Sequence, residues 1–207
     1  MNPRPELVLV RHGESFGNLT GDYSTSRHDN LTDTGWAQAR TLAAHWRRPF
    51  DRWAASPLGR TRQTALPTLE RFGVTAELWP DLAECCWQEP RHLPPSDPEL
   101  PLVPLGLEAH EERWFGPAHL AAVAPEHERW QDGLRRMRRA AAALDAVVRG
   151  GQSILAVSHG YAISKLVILL TGEGDVNEVF DMVNTGVTRL VPTEPGRYTI
   201  EEFNRRP

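Results

Sequence analysis

The sequence predicts an α/β fold with a mostly parallel sheet and helices on both faces. Three observations predict it: short strand-like runs, amphipathic helix patterns between them, and the alternation of the two along the chain. Residues 7–10 are an uninterrupted apolar run bounded by charge, the pattern of a buried strand. Thr32 reads as a helix cap. Behind it Trp36, Ala39, Ala43 and Trp46 recur at helical spacing, and Pro49 stops the pattern. Residues 53–55 read as a second strand. Ser56-Pro57 reads as a cap followed by proline at the first helical position, with Gly73 as the C-terminal stop. Pro67 is expected to kink or shorten that helix. Residues 75–78 are strand-like again.

From Glu126 a long helix is expected. Its apolar stripe is Leu134, Met137, Ala141, Leu144 and Val148, and Gly150-Gly151 end it. Arg135, Arg136, Arg138 and Arg139 on this helix read as a solvated face. Residues 153–157 form another buried strand, and the turn Ser158-His159-Gly160 leads into a helix reaching about Leu170. Residues 187–191 and 198–203 close the chain as strands.

The 207 residues suffice for one domain, 1–207, with a sizeable core. A hydrophobic fraction of 40% and a charged fraction of 24% are ordinary for a globular protein. The net charge of −4 gives no electrostatic reason to bind nucleic acid or an anionic membrane. Cys85 and Cys86 are adjacent and have no second pair, so neither a zinc site nor a disulfide framework is expected. The apolar run at 7–10 is too short for a signal peptide, and that at 166–170 too short to span a membrane. The expected location is a reducing one, the cytoplasm. The segment at about 85–125 is rich in proline and carries Trp87 and Trp114. It is expected to be a lid-like insertion, in which Arg91 and His92 could meet a second anionic group, or else a scaffold loop whose tryptophans pack into the core.

The chemistry concentrates after two strands. Arg11-His12-Gly13-Glu14 follows the first one, and ligands of open α/β sheets sit beyond the carboxyl ends of the strands. His159 follows a later strand in the same way. If those strands are neighbours, the two imidazoles face each other across one crevice. Arg60 lies in the first turn of its helix, where free backbone N–H groups already favour anions. Each residue alone has a bland reading: a surface turn, a solvated helix residue, a structural histidine. Two arginines, two histidines and helix N-termini at one sheet edge together describe a pocket for a dianion such as phosphate.

The spacing of these residues resembles the histidine phosphatase superfamily, which includes the phosphoglycerate mutases. R-H-G-E-S with an asparagine three residues on stands as Arg11, His12, Gly13, Glu14, Ser15 and Asn18. L-T-x-x-G-x-x-Q-A stands as Leu31, Thr32, Gly35, Gln38 and Ala39. S-P-L-x-R-x-x-Q-T-A stands as Ser56, Pro57, Leu58, Arg60, Gln63, Thr64 and Ala65, and the late S-H-G as Ser158, His159 and Gly160. Asn184-Thr185 is a looser match. The resemblance implies a three-layer α/β/α sandwich with a mixed, mainly parallel sheet. It implies a phosphatase that hydrolyses a small phosphate monoester through a phosphohistidine, with no cofactor, no metal and no nucleic-acid or membrane partner.

Carried over residue by residue, it makes His12 the nucleophile. Arg11, Asn18, Arg60, His159 and Gly160 form the phosphoryl-binding set. Arg62 is only a positive neighbour. The proton donor of the family is a carboxylate in an L-x-E context after the third strand, here Leu82-Ala83-Glu84. Many relatives have a glycine four residues later where this chain has Gln88, so the loop beyond takes another path. Glu89 is the nearest competitor, and the signature places Glu14 behind His12. His12 must be neutral at its attacking nitrogen, so its other nitrogen needs an acceptor such as a local backbone carbonyl. Two other readings stay open: phosphoglycerate-mutase-type transfer, and a non-catalytic phospho-ligand-binding protein.

Overall fold

Strand β1 (Leu7–Arg11) carries four consecutive apolar residues because both of its faces are covered. Successive side chains of a strand point to opposite faces. Leu7 and Leu9 therefore enter one core with Met137, Leu144 and Ile163, while Val8 and Val10 enter a second with Leu42, Trp53 and Leu69. The computed structural model describes residues 4–22, 26–85, 102–104, 106–116, 121–123, 128–194 and 196–207.

In chain order the elements are β1, α1 (Phe16–Thr20), α2 (Asp33–His45), β2 (Arg52–Ala55), α3 (Gly59–Phe72), β3 (Ala76–Leu78), β4 (Leu102–Pro104), β5 (Phe115–Gly116), β6 (Ala121–Val123), α4 (Trp130–Arg149), β7 (Ile154–Ser158), α5 (Gly160–Thr171), β8 (Val187–Pro192) and β9 (Tyr198–Arg205). Seven strands form one sheet in the order β5-β3-β2-β7-β1-β8-β9. Strands β5, β3, β2, β7 and β1 run parallel, and β8 and β9 are antiparallel additions. Helices α2 and α3 cover one face and α4 and α5 the other, so the sheet is mixed, mainly parallel and sandwiched as expected.

Several elements depart from the sequence reading. Ser56 does not cap α3. Pro57 and Leu58 are still outside the helix, which begins at Gly59 with Leu58 as an extended N-cap lacking a side-chain bond. The orphan N–H of Gly59 goes instead to Asp29 Oδ2 at 2.5 Å, a cap supplied from another segment. Pro67 does not shorten α3, which continues to Phe72. A proline costs a helix about 3 kcal/mol, and burying Leu66 and Leu69 at about 1.5–3 kcal/mol each offsets that. Helix α4 begins at Trp130 rather than Glu126, after an extended Arg129 and a buried Glu128.

The arginine cluster on α4 is not uniformly solvated. Arg135, Arg138 and Arg139 are exposed, but Arg136 is buried and paired with Glu128. Within the proline-rich segment, β4 and β6 pair with each other and β5 extends the main sheet beside β3. Trp114 packs against the core on the α2/α3 side with Arg113 stacked 4.9 Å from its ring, which favours the scaffold reading for this tryptophan. Trp87, Gln88, Glu89, Arg91 and His92 lie outside the described residues. No helix among the described residues is long and apolar enough to cross a membrane.

Candidate active site

Strands β1 and β7 are parallel neighbours, and Arg11 pairs with Ser158 at their last shared register position. The next residue of each strand is a histidine. His12 and His159 therefore leave the sheet side by side, with ring centroids 5.2 Å apart. Beside β7, β2 ends at Ala55, and Ser56 N donates to Val157 O at 2.9 Å. Beyond it lies β3, and the chain then turns through 80–82 to Glu84. Four parallel strands thus deliver His12, His159, Ser56 and Glu84 to one edge.

The motif residues hold the His12 turn rigid. Gly13 N donates to Thr64 Oγ1 at 2.9 Å, and Glu14 N to Gln38 Oε1 at 2.8 Å. Thr32 caps α2, and its hydroxyl donates to Glu14 Oε1 at 2.7 Å, which turns Glu14 away from the imidazole. Gln63 Oε1 receives Leu31 N at 2.7 Å. A Cβ on Gly35 would stand 2.0 Å from Glu14 O, so only glycine lets α2 approach this closely. From the opposite side Thr185, at a φ of 56°, directs its N–H to the Arg11 and His12 carbonyls at 3.1 and 3.3 Å. That backbone conformation costs a β-branched residue roughly 1–3 kcal/mol and is retained at the rim of the pocket.

His12 is buried, and its Nδ1 lies 2.7 Å from Gly13 O. A carbonyl only accepts, so Nδ1 carries the proton and Nε2 the lone pair. Arg60 Nε donates to that Nε2 at 3.2 Å. Burial, then Arg60 and Arg11, hold the His12 pKa well below its ordinary 6.5. The imidazole is neutral with its lone pair toward Arg60. Arg60, in the first turn of α3, also pairs through Nη1 with Asp29. Arg11 donates to Met182 O, and the side chain of Arg11 lies against Gly160.

His159 is fully buried, and its Nε2 lies 2.8 Å from Ser56 Oγ. Its Nδ1 has no protein partner among the described residues. Burial, then Arg60, His12 and further arginines, keep it neutral as well. Asn18 shares a capping box with Ser15, and its Oδ1 accepts from Asn184 Nδ2 at 3.2 Å. Asn184 Nδ2 also reaches His12 O at 3.1 Å, which ties Asn18 to the His12 turn.

Glu84 Oε1 receives the backbone N–H groups of Cys85 and Ala162, both at 3.1 Å. Burial raises its pKa above the ordinary 4.5 against the opposing pull of Arg60, those N–H groups and Arg11. Burial thus shifts this carboxyl toward its neutral form relative to an exposed one. Arg62 is turned away into a buried pair with Glu111, so it is not a positive neighbour of the pocket. Among the described residues no group of three His, Cys, Asp or Glu side chains could hold a metal ion.

The structure therefore brings together Arg11, His12, Asn18, Arg60, Glu84, His159 and Gly160. The sequence reading missed Ser56 as the partner of His159, Asp29 as the partner of Arg60, and Arg136 behind Glu84. Ser56 stood in a quoted motif but was read as a cap. Arg136 stood at helical spacing between the buried Gly133 and Ala140, a signal masked by the neighbouring arginines.

Two neutral histidines and two guanidiniums at the carboxyl edge of a parallel sheet form a pocket whose charge and donors suit a phosphate dianion. The family profile of the histidine phosphatase superfamily (branch 1) matches residues 7–206, and the chain belongs to that superfamily. It is a histidine-dependent phosphatase by family. An adenosylcobalamin/alpha-ribazole phosphatase of Salmonella typhimurium is 35% identical over 170 residues, 79% of this chain and 78% of that protein. A protein of Yersinia pestis named probable phosphoglycerate mutase GpmB is 31% identical over 173 residues, 81% of this chain and 75% of that one. The crystal structure of the alpha-ribazole phosphatase from Shigella flexneri superposes with a TM-score of 0.66 at 22% identity, covering 97% of this chain and 96% of that one.

Proposed function

We propose that this phosphatase hydrolyses a small phosphate monoester with His12 as nucleophile, Arg11, Asn18, Arg60, His159 and Gly160 as the phosphoryl-binding set, and Glu84 as proton donor. The observation that carries the reading is the tautomer of His12. Its Nδ1–H is committed to Gly13 O, which leaves the Nε2 lone pair beside Arg60.

In the first step Nε2 forms the N–P bond as the ester O–P bond breaks, and the leaving oxygen takes the proton of Glu84. In the second, water attacks phosphorus and gives a proton to the Glu84 carboxylate. The P–N bond breaks, and inorganic phosphate, neutral His12 and protonated Glu84 result. The charge that spreads over the equatorial oxygens meets Arg11, Arg60 and the Nδ1 of His159, which has no partner among the described residues. General acid assistance of this kind typically contributes about 10²–10⁴-fold.

The likeness to an adenosylcobalamin/alpha-ribazole phosphatase supports the phosphate ester of alpha-ribazole as the first substrate to try. The test is a panel of phosphate esters read by released inorganic phosphate, with both phosphoglycerate isomers included and followed over time. Phosphate release from panel members is expected. Isomer interconversion faster than phosphate release would make the protein a mutase. Release from none would leave a phospho-ligand-binding protein.

A further inference from the structure

Arg136 sits in the middle of α4 and is 1% exposed. Its Nε and Nη2 each lie 2.6 Å from an oxygen of Glu128, a bidentate pair in the protein interior. The remaining donors all face backbone. Nη1 reaches Asp81 O at 3.0 Å and Ala83 O at 2.8 Å, and Nη2 reaches Glu84 O at 2.9 Å. Ser158 Oγ takes the intervening Leu82 O at 2.7 Å. Every carbonyl from 81 to 84 is thus held by a side chain, and none of those side chains belongs to the turn itself.

A buried ion pair is weak evidence for stability, because apolar replacements of similar shape often do as well. What an apolar residue cannot do is hold the carbonyls of Asp81, Ala83 and Glu84 in place. The turn they define ends at Glu84, whose carboxyl meets the pocket at the N-terminus of α5. Glu128 in turn holds the planar guanidinium in one orientation.

We propose that Arg136, oriented by Glu128, is a positioning residue of the phosphatase that aims the Glu84 carboxyl at the leaving oxygen. The inference rests on the reading of Glu84 as proton donor. A misplacement of about 1 Å at a reacting group can cost 10²-fold in rate. Lysine at 136 keeps the charge but cannot serve Glu128 and three carbonyls at once.

The test compares kcat/KM, which reports the step up to loss of the alcohol, for an alkyl phosphate and for an aryl phosphate of an acidic phenol. Arg136→Lys is expected to lower the alkyl value about 100-fold and to leave the aryl value within about threefold, because an acidic phenol leaves without a proton. Glu128→Gln should act in the same direction, and it carries the test if Arg136→Lys fails to fold. Added to Glu84→Gln, the Arg136→Lys change should cost the alkyl ester nothing more, since two residues acting as one unit are non-additive. Equal losses for both esters, or an unchanged ratio, in variants that melt as folded proteins would assign Arg136 to the scaffold alone. If Glu84→Gln itself shows no alkyl-selective loss, the donor assignment fails first and this inference falls with it.

Discussion

Replacing Ser56 with alanine removes one hydroxyl from the wall of the pocket. Its Oγ lies 2.8 Å from His159 Nε2 and accepts the Leu58 N–H at 3.3 Å. With the hydroxyl hydrogen on Nε2, the proton of the neutral ring sits on Nδ1, the nitrogen without a protein partner among the described residues. On the proposed mechanism His159 then donates a hydrogen bond to the phosphoryl group while remaining uncharged. In Ser56→Ala the buried Nε2 loses its partner, a cost of about 1–3 kcal/mol. The ring can recover by shifting its proton or turning, and either change withdraws the donor from the phosphoryl oxygens. At 1.36 kcal/mol per tenfold, kcat/KM is expected to fall about 10–100-fold.

The affinity for vanadate, which imitates the five-coordinate transition state, should fall by a similar factor. The assay is hydrolysis of an aryl phosphate with vanadate inhibition on the same preparations, alongside a thermal melt. If both constants stay within about twofold of the parent value, well under the 1 kcal/mol expected at minimum, Ser56 does not set the tautomer of His159.

Three further outcomes follow from the same geometry. Because burial raises the Glu84 pKa, the proton needed by an alkyl leaving group persists to higher pH and is then lost. Alkyl-ester kcat/KM should therefore decline on the alkaline side, and Glu84→Gln should erase that limb; a limb that survives belongs to another group. His12 and His159 are both held below 6.5, so between their folded values and 6.5 the unfolded chain binds more protons. Stability from these residues is present above about 6.5 and lost as pH falls below it, and His12→Asn should flatten the decline in a denaturant series. A decline as steep as the parent's in that variant would contradict this. Dialysis against a chelator is expected to leave turnover intact, because on the proposed mechanism Arg11 and Arg60 supply the charge that a metal provides elsewhere and the neutral His159 adds a hydrogen bond; restoration by one divalent ion would overturn it.

Much of the fold was legible because buried parallel strands advertise themselves locally. The run at 7–10 and the one before Ser158 needed no knowledge of partners, and their adjacency placed His12 beside His159. Glu84 was legible through the family resemblance, from the L-x-E pattern after β3. The misreadings share one cause, which is that a distant residue decided the outcome. Ser56 looked like a cap until Asp29 supplied one and His159 claimed the hydroxyl. Arg136 looked solvated because charge on a helix usually is, and Glu128 with the Asp81, Ala83 and Glu84 carbonyls makes its burial tolerable. Pro67 was expected to kink or shorten α3, but the helix runs on to Phe72, where propensity yielded to the burial of Leu66 and Leu69. The pairing of β5 with β3 could not be read from a two-residue strand at all.

The central claim is that His12 carries the phosphoryl group. The direct measurement mixes the protein with an ester labelled in its phosphoryl group, quenches within a turnover in alkali, and maps the label by peptide. Label on His12 that survives base, is released by acid and is missing from His12→Ala is the predicted result. Label on another residue, or a His12→Ala protein that turns over like the parent, would contradict it.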